Sequence, residues 1–243
     1  MLELRIADCG LRIGILFAAS ALAFAQESPT PTTTPEESPS PSPTATASVS
    51  AAPTRSVPLR FVPPPMEGTI SLGIWNSDDK LVRVLHRNAK IDNFTVEENS
   101  LSTTWDGKSD AGEDLPAGKY RARGYLVGKL KIEDLGKATL PPEGAADRIF
   151  VKLVTNPLTS DTRAMMEIAV AVDEKGTFLK TTDELPLATL KETPNVTRVV
   201  MQKNGEKSAD VWLEDTSGTE HVRVSNIDKM LAFDCGFFEL SEL

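Results

Sequence analysis

Residues 70–126 read as a series of short runs in which apolar residues alternate with others, separated by clusters of Asp, Asn, Ser and Gly. Such punctuated alternation restricts this part of the chain to strands joined by tight turns. Ile70, Leu72 and Ile74 alternate with Ser71, Gly73 and Trp75, which predicts a strand with one buried face. Asn76-Ser77-Asp78-Asp79-Lys80 reads as a polar turn, because Asx side chains satisfy nearby backbone groups. Leu81-Val82-Arg83-Val84-Leu85 returns as a second strand, dense in β-branched and apolar residues. Leu101, Thr103 and Trp105 share one face of a further strand, and a last one ends near Leu126-Val127.

Two turn motifs sit inside this pattern. Asp106-Gly107-Lys108-Ser109-Asp110-Ala111-Gly112 forms a tight polar connection, and Pro116-Ala117-Gly118-Lys119-Tyr120 leads into the last strand. Gly107, Gly112 and Gly118 suit turns that need positive φ, and Pro116 pre-sets a turn. Trp105 and Tyr120 are large enough to anchor a small sandwich core. This order resembles the immunoglobulin-like domain of the flagellar hook-capping protein (the FlgD Ig-like family). The likeness rests on Leu81-Val82-Arg83-Val84-Leu85, Thr104-Trp105-Asp106-Gly107, Gly112 and Pro116-Ala117-Gly118-Lys119-Tyr120, and covers residues 68–128. It implies an immunoglobulin-type β-sandwich in which Trp105, Asp106, Gly107, Gly112, Pro116, Gly118 and Tyr120 are structural. It also implies a spacer or docking role attached to other domains of an exported bacterial protein.

Beyond residue 147 the runs 148–154, 165–172, 177–180, 197–201, 210–213 and 221–224 are short and β-prone. Glu174-Lys175-Gly176, Lys203-Asn204-Gly205 and Ser217-Gly218 separate them, and Asn204-Gly205 signals a two-residue hairpin. The stretches 165–190 and 198–225 each have the length of a propeller-like blade, but two blades cannot close a ring. A small β-sandwich or open sheet is the expectation, with one short helix at 226–230. Gly136, Pro141-Pro142 and Gly144-Ala145-Ala146 mark a boundary between two modules.

Residues 13–25 form an apolar run ending in Ala23-Phe24-Ala25, the length and small-x-small site of a secretory leader. A bilayer span needs about 20 apolar residues, so no membrane span is expected after cleavage. Residues 26–58 hold 8 Pro, 7 Ser and 7 Thr and no aromatic residue, so they cannot bury enough apolar surface to offset the entropy of ordering. They are expected as an extended, semi-stiff tether that suits O-glycosylation. The expected plan is all-β: leader 1–25, disordered Pro/Ser/Thr linker 26–65, immunoglobulin-like sandwich 66–132, link 133–147 and β-rich domain 148–243. Cleavage after Ala25 removes Cys9 and leaves Cys235, expected as a buried small hydrophobe without a disulfide partner.

Candidate chemistry is sparse. The formal charge of −9, without a basic stripe, argues against nucleic acid and against anionic membrane surfaces. His86 and His221 have no Cys or His partner at ligand spacing, and no Gly-x-Ser-x-Gly elbow or phosphate-binding Gly loop is present. Asp106, Asp110, Glu113 and Asp114 could offer oxygens to calcium, but Lys108 stands at the third position of the loop, and a solvated turn is the expectation. No cofactor, metal or catalytic residue is assigned. Trp75, Tyr125 and Trp212 are the candidate binding surface, as a sugar or protein contact patch if exposed together, against packing inside the sandwich for at least one of them. The expected role is that of an exported, non-enzymatic structural or interaction protein, periplasmic or extracellular, with a protein or glycan partner in the envelope. The rival expectation is an envelope hydrolase with its site in residues 147–243.

Overall fold

A computed structural model describes residues 55–142, 144 and 147–242. The expected leader and the tether up to residue 54 lie outside the described residues. In chain order the first strands are β1 (Val57–Phe61), β2 (Gly68–Trp75), β3 (Leu81–Ala89), β4 (Thr95–Glu97), β5 (Ser100–Trp105) and β6 (Gly118–Gly128). Then come β7 (Lys131–Lys137), β8 (Ile149–Lys152), β9 (Met165–Asp173), β10 (Gly176–Thr181), β11 (Pro186–Lys191), β12 (Arg198–Lys203), β13 (Ser208–Asp215), β14 (Gly218–Ser225) and β15 (Met230–Leu240). A 3-10 turn at Ile91–Asn93 is the only helical element among the described residues.

Every strand-to-strand ladder is antiparallel, in four sheets ordered β1-β5-β4, β15-β6-β2-β3, β11-β10-β9-β8 and β12-β13-β14-β7. The sheet β15-β6-β2-β3 is the middle layer. On one face Ile70, Leu72, Ile74, Tyr120 and Phe233 meet Leu59, Phe61, Leu101 and Trp105 of the β1-β5-β4 sheet and its surroundings. On the other, Trp75, Tyr125 and Val127 join Ile149, Ile168, Leu179 and Leu187 and the inward residues of β12–β14. This explains why β2 is buried on both faces, where its alternation predicted one. The residues between Ile70, Leu72 and Ile74 meet a second core rather than water.

Gly124 shows how close the first core comes. A Cβ there would stand 2.3 Å from the Phe233 ring and 2.6 Å from the Ser71 carbonyl oxygen. Only glycine lets β6 approach both neighbours.

Strand pairing interleaves the two halves of the chain. β15 is the edge strand beside β6, with Met230 opposite Val127 and Leu240 opposite Gly118. β7 pairs with β14, so residues 133–137 are strand where a link was expected. Residues 57–61, inside the expected linker, form β1 opposite β5. Alternating Leu59 and Phe61 supply that strand with a buried face despite its Pro58. The helix expected at 226–230 is a turn closed by Lys229 N–H donating to the Asn226 carbonyl at 3.0 Å, with Asn226 at φ 69°. The Asn204-Gly205 hairpin exists with a four-residue loop, because Asn204 N–H donates to the Ser208 carbonyl at 2.9 Å. The two blade-length stretches fall into two separate sheets, each completed by an earlier strand: β8 beside β9, and β7 beside β14.

Candidate functional site

The Trp105 to Tyr120 motif is a packing device. Trp105 lies edge-on to Tyr120 at 5.3 Å and to Phe238 at 5.6 Å, and its indole N–H donates to the Lys108 carbonyl at 2.9 Å. The Tyr120 hydroxyl donates to the Pro116 carbonyl at 2.9 Å, and burial raises its pKa above the ordinary value. Gly107 and Gly112 take φ of 76° and 80°, so both turns use the left-handed region. The acidic loop is spent on local contacts. The Asp106 carboxylate accepts from Lys108 N–H at 3.1 Å, Asp110 accepts from Val84 N–H at 3.0 Å, and Asp114 faces Lys108 at 3.5 Å.

The expected patch of Trp75, Tyr125 and Trp212 does not form. Trp75 is fully buried and Tyr125 nearly so, because β2 and β6 lie between two cores. Trp212 is half-buried and stacks on His221, rings 4.6 Å apart and 5° from parallel. The other histidine, His86, lies 2.9 Å from the Thr103 hydroxyl and against Phe94, and burial lowers its pKa.

What sequence reading missed is a set of guanidinium–aromatic stacks around the middle sheet, each with an Asp on the guanidinium. Arg123 lies 4.4 Å over Trp75 with Asp79 and Asp183 beside it. Arg163 lies 4.5 Å over Tyr125 and pairs with Asp161. Arg87 covers Phe178 at 4.0 Å and pairs with Asp173, while Arg121 lies 4.8 Å from Phe237 and pairs with Asp234. These cations are partly desolvated, and ring and carboxylate together replace the lost water. Arg163 also donates to the Phe233 carbonyl at 2.9 Å and the Gly124 carbonyl at 3.3 Å, fastening its loop across β15 and β6. Burial pushes the Asp161 carboxyl up, but the hydrogen bonds from Arg163 outweigh it and hold the group below its ordinary value.

The sheets β11-β10-β9-β8 and β12-β13-β14-β7 meet along two seams. At one, Lys191 of β11 pairs with Glu220 of β14 and reaches Asp134 of β7 at 3.6 Å. The Glu220 hydrogen bond raises the Lys191 pKa. The other seam, between β8 and β12, stays open as a hollow of about 730 Å³. Phe150, Met165 and Val154 line it and are 49%, 57% and 45% exposed. Lys152, Lys203, Lys207, Glu206 and Asp228 supply its charges. Isolated exposed apolar residues are ordinary, whereas three around one concave edge make it a candidate contact surface.

Comparison with protein-family models, with curated proteins and with solved structures gave no match. The open β8–β12 seam therefore carries the functional argument by its own chemistry. Its strand, 148–154, was legible from the sequence, but its edge position and its meeting with residues 203–207 and 228 depend on tertiary structure.

Proposed function

We propose that this chain is an exported, non-enzymatic interaction protein that holds its β layers away from the membrane or wall on a Pro/Ser/Thr tether and binds a protein partner in the envelope. The observation that carries the reading is the open seam, with exposed Phe150 on the edge strand β8 and exposed Val154 and Met165 beside it. Edge strands with exposed apolar side chains accept partner strands, and a cell manages that hazard or uses it. The FlgD Ig-like resemblance of residues 68–128 is consistent with a docking or spacer role, with Trp105 and Tyr120 serving packing.

Two measurements test the proposal. The exported protein is recovered from envelope and medium fractions and its first residue determined; Gln26 is expected, and retention of Met1 in the cytoplasm overturns export. The full chain is then used to capture partners from native envelope extract, with a tether-only control. One recurrent protein partner is expected. A blank that persists after cross-linking overturns the interaction role.

A further inference from the structure

We infer that the β8–β12 seam takes an extended peptide segment carrying alternating acidic and apolar residues, added as a strand on β8. This rests on the interaction role proposed above and specifies the partner's chemistry.

Backbone direction is the first support. Leu153 N–H donates to the Ala164 carbonyl at 2.9 Å, and the β8–β9 register pairs Val151 with Met166 and Ile149 with Ile168. In an antiparallel ladder alternate residues bond the same neighbour, so Ile149, Val151 and Leu153 face β9. Phe150 and Lys152 therefore turn their N–H and C=O groups to the free edge. Val154, next in that row, shows the direction by donating to the Met230 carbonyl at 2.8 Å.

The opposite wall follows the same logic. Asn204 bonds Ser208, which leaves Met201 and Lys203 on the outer edge of β12. There the Met201 carbonyl accepts from Asp147 N–H at 3.3 Å. The outer edge of β8 is thus bounded at one end by Asp147, tied to Met201 of β12, and at the other by Val154, tied to Met230 of β15. Between the ties, Phe150 and Lys152 of β8 have no main-chain partner on the outer side among the described residues, the requirement for strand addition.

Side chains select the occupant. Phe150, Met165 and Val154 offer apolar contact. Lys152 and Lys203 are exposed and make no ion pair among the described residues, while Lys207 lies 3.4 Å from Asp228. Around the hollow Lys152, Lys203 and Lys207 outnumber Glu206 and Asp228 by one, although Lys203 N–H donates to the Asp147 carboxylate at 3.3 Å, and this small positive surplus on a chain of net charge −9 favours an acidic segment. The same lysines on an edge strand disfavour pairing with a second copy.

The test uses the full chain and three fluorescein-labelled heptapeptides: alternating Val and Glu, alternating Val and Lys, and the Val/Glu peptide N-methylated at every Glu. Anisotropy titration is expected to rank Val/Glu at least tenfold tighter than either other peptide. Lys152→Glu with Lys203→Glu is expected to reverse the preference between the acidic and basic peptides, and Phe150→Ser to weaken the acidic one. Circular dichroism and melting of the variants are expected to match the parent, since all three positions are solvent-exposed. Equal binding of the N-methylated peptide, or an unchanged ranking in the double variant, overturns the inference. So does a dimer in sedimentation that Lys152→Glu dissolves, because a second copy then fills the seam. If the parent and the double variant capture the same envelope partner, the interaction role stands and this seam is excluded as its site.

Discussion

The Tyr120 hydroxyl closes a loop onto the Pro116 carbonyl, 2.9 Å away and four residues earlier, at the point where β6 enters the sheet. A phenol that hydrogen-bonds the backbone just upstream fixes how the chain turns the corner into its strand. Tyr120→Phe keeps the ring in its contact with Trp105 and removes only this bond. A loss of about 1 kcal/mol is expected in urea unfolding. Trp105→Ala, which empties a fully buried site, is expected to cost about 3–5 kcal/mol.

Asp161→Asn breaks a pair whose carboxylate is 3% exposed, and leaves the Arg163 guanidinium, which also holds two carbonyls, without its counter-charge. Removing one partner of a buried pair costs about 3–5 kcal/mol, and the partial exposure of Arg163 places the expected loss near the lower end. The pH dependence has a definite sign. Asp161 lies below its ordinary 3.8 in the folded protein, so its stabilisation is complete above that value and fades as pH falls through the folded value. Urea unfolding at several pH values is expected to show parent and variant converging in acid and separating above it.

Cys235 is the extra residue of a β-bulge: Asp234 faces Arg123 and Gly236 faces Ala122, leaving Cys235 without a partner in the ladder. Burial, with Asp234 adding to it, pushes its thiol up to about 12. At pH 8 the native protein is expected to alkylate at Cys235 far more slowly than the urea-unfolded protein. Peptide mapping of iodoacetamide adducts checks this; equal rates would exclude shielding of the half-buried Cys235 thiol.

Gly124→Ala places a methyl group against the Phe233 ring and the Ser71 carbonyl oxygen. The ring has little freedom between Phe61 and β6, so overpacking is expected to cost about 1–3 kcal/mol or more. Gly112→Ala meets no atom within 4 Å and carries only the strain of its positive φ, about 1 kcal/mol. Melting curves of the two variants are expected to rank them in that order.

The strands with an unbroken apolar period are legible in the sequence. Ile70, Leu72 and Ile74 read correctly as a strand, as do the runs that became β8, β9, β10 and β12–β14. β7 was hidden because an exposed edge strand needs no apolar face; Ile132 and Leu135 lie there 42% and 45% exposed. β15 was hidden because Asp234-Cys235-Gly236 shifts the register in mid-strand and breaks the period-2 pattern. The aromatic candidates failed for a different reason. Burial of Trp75 and Tyr125 depends on layers contributed from distant parts of the chain, and the arginine over Tyr125 comes from the loop before β9. Phe150 and Lys152 were visible as alternating residues, but no local signal says that their strand ends a sheet.

The place of β15 beside β6 has a consequence in time. As the chain folds, β2, β3 and β6 can pair through short connections, yet β6 keeps one bare edge until β15 docks. About one hundred residues separate those two strands, so their pairing closes a long loop and comes slowly. Until it does, the protein is an unfinished sheet, open to chaperones and to its own neighbours.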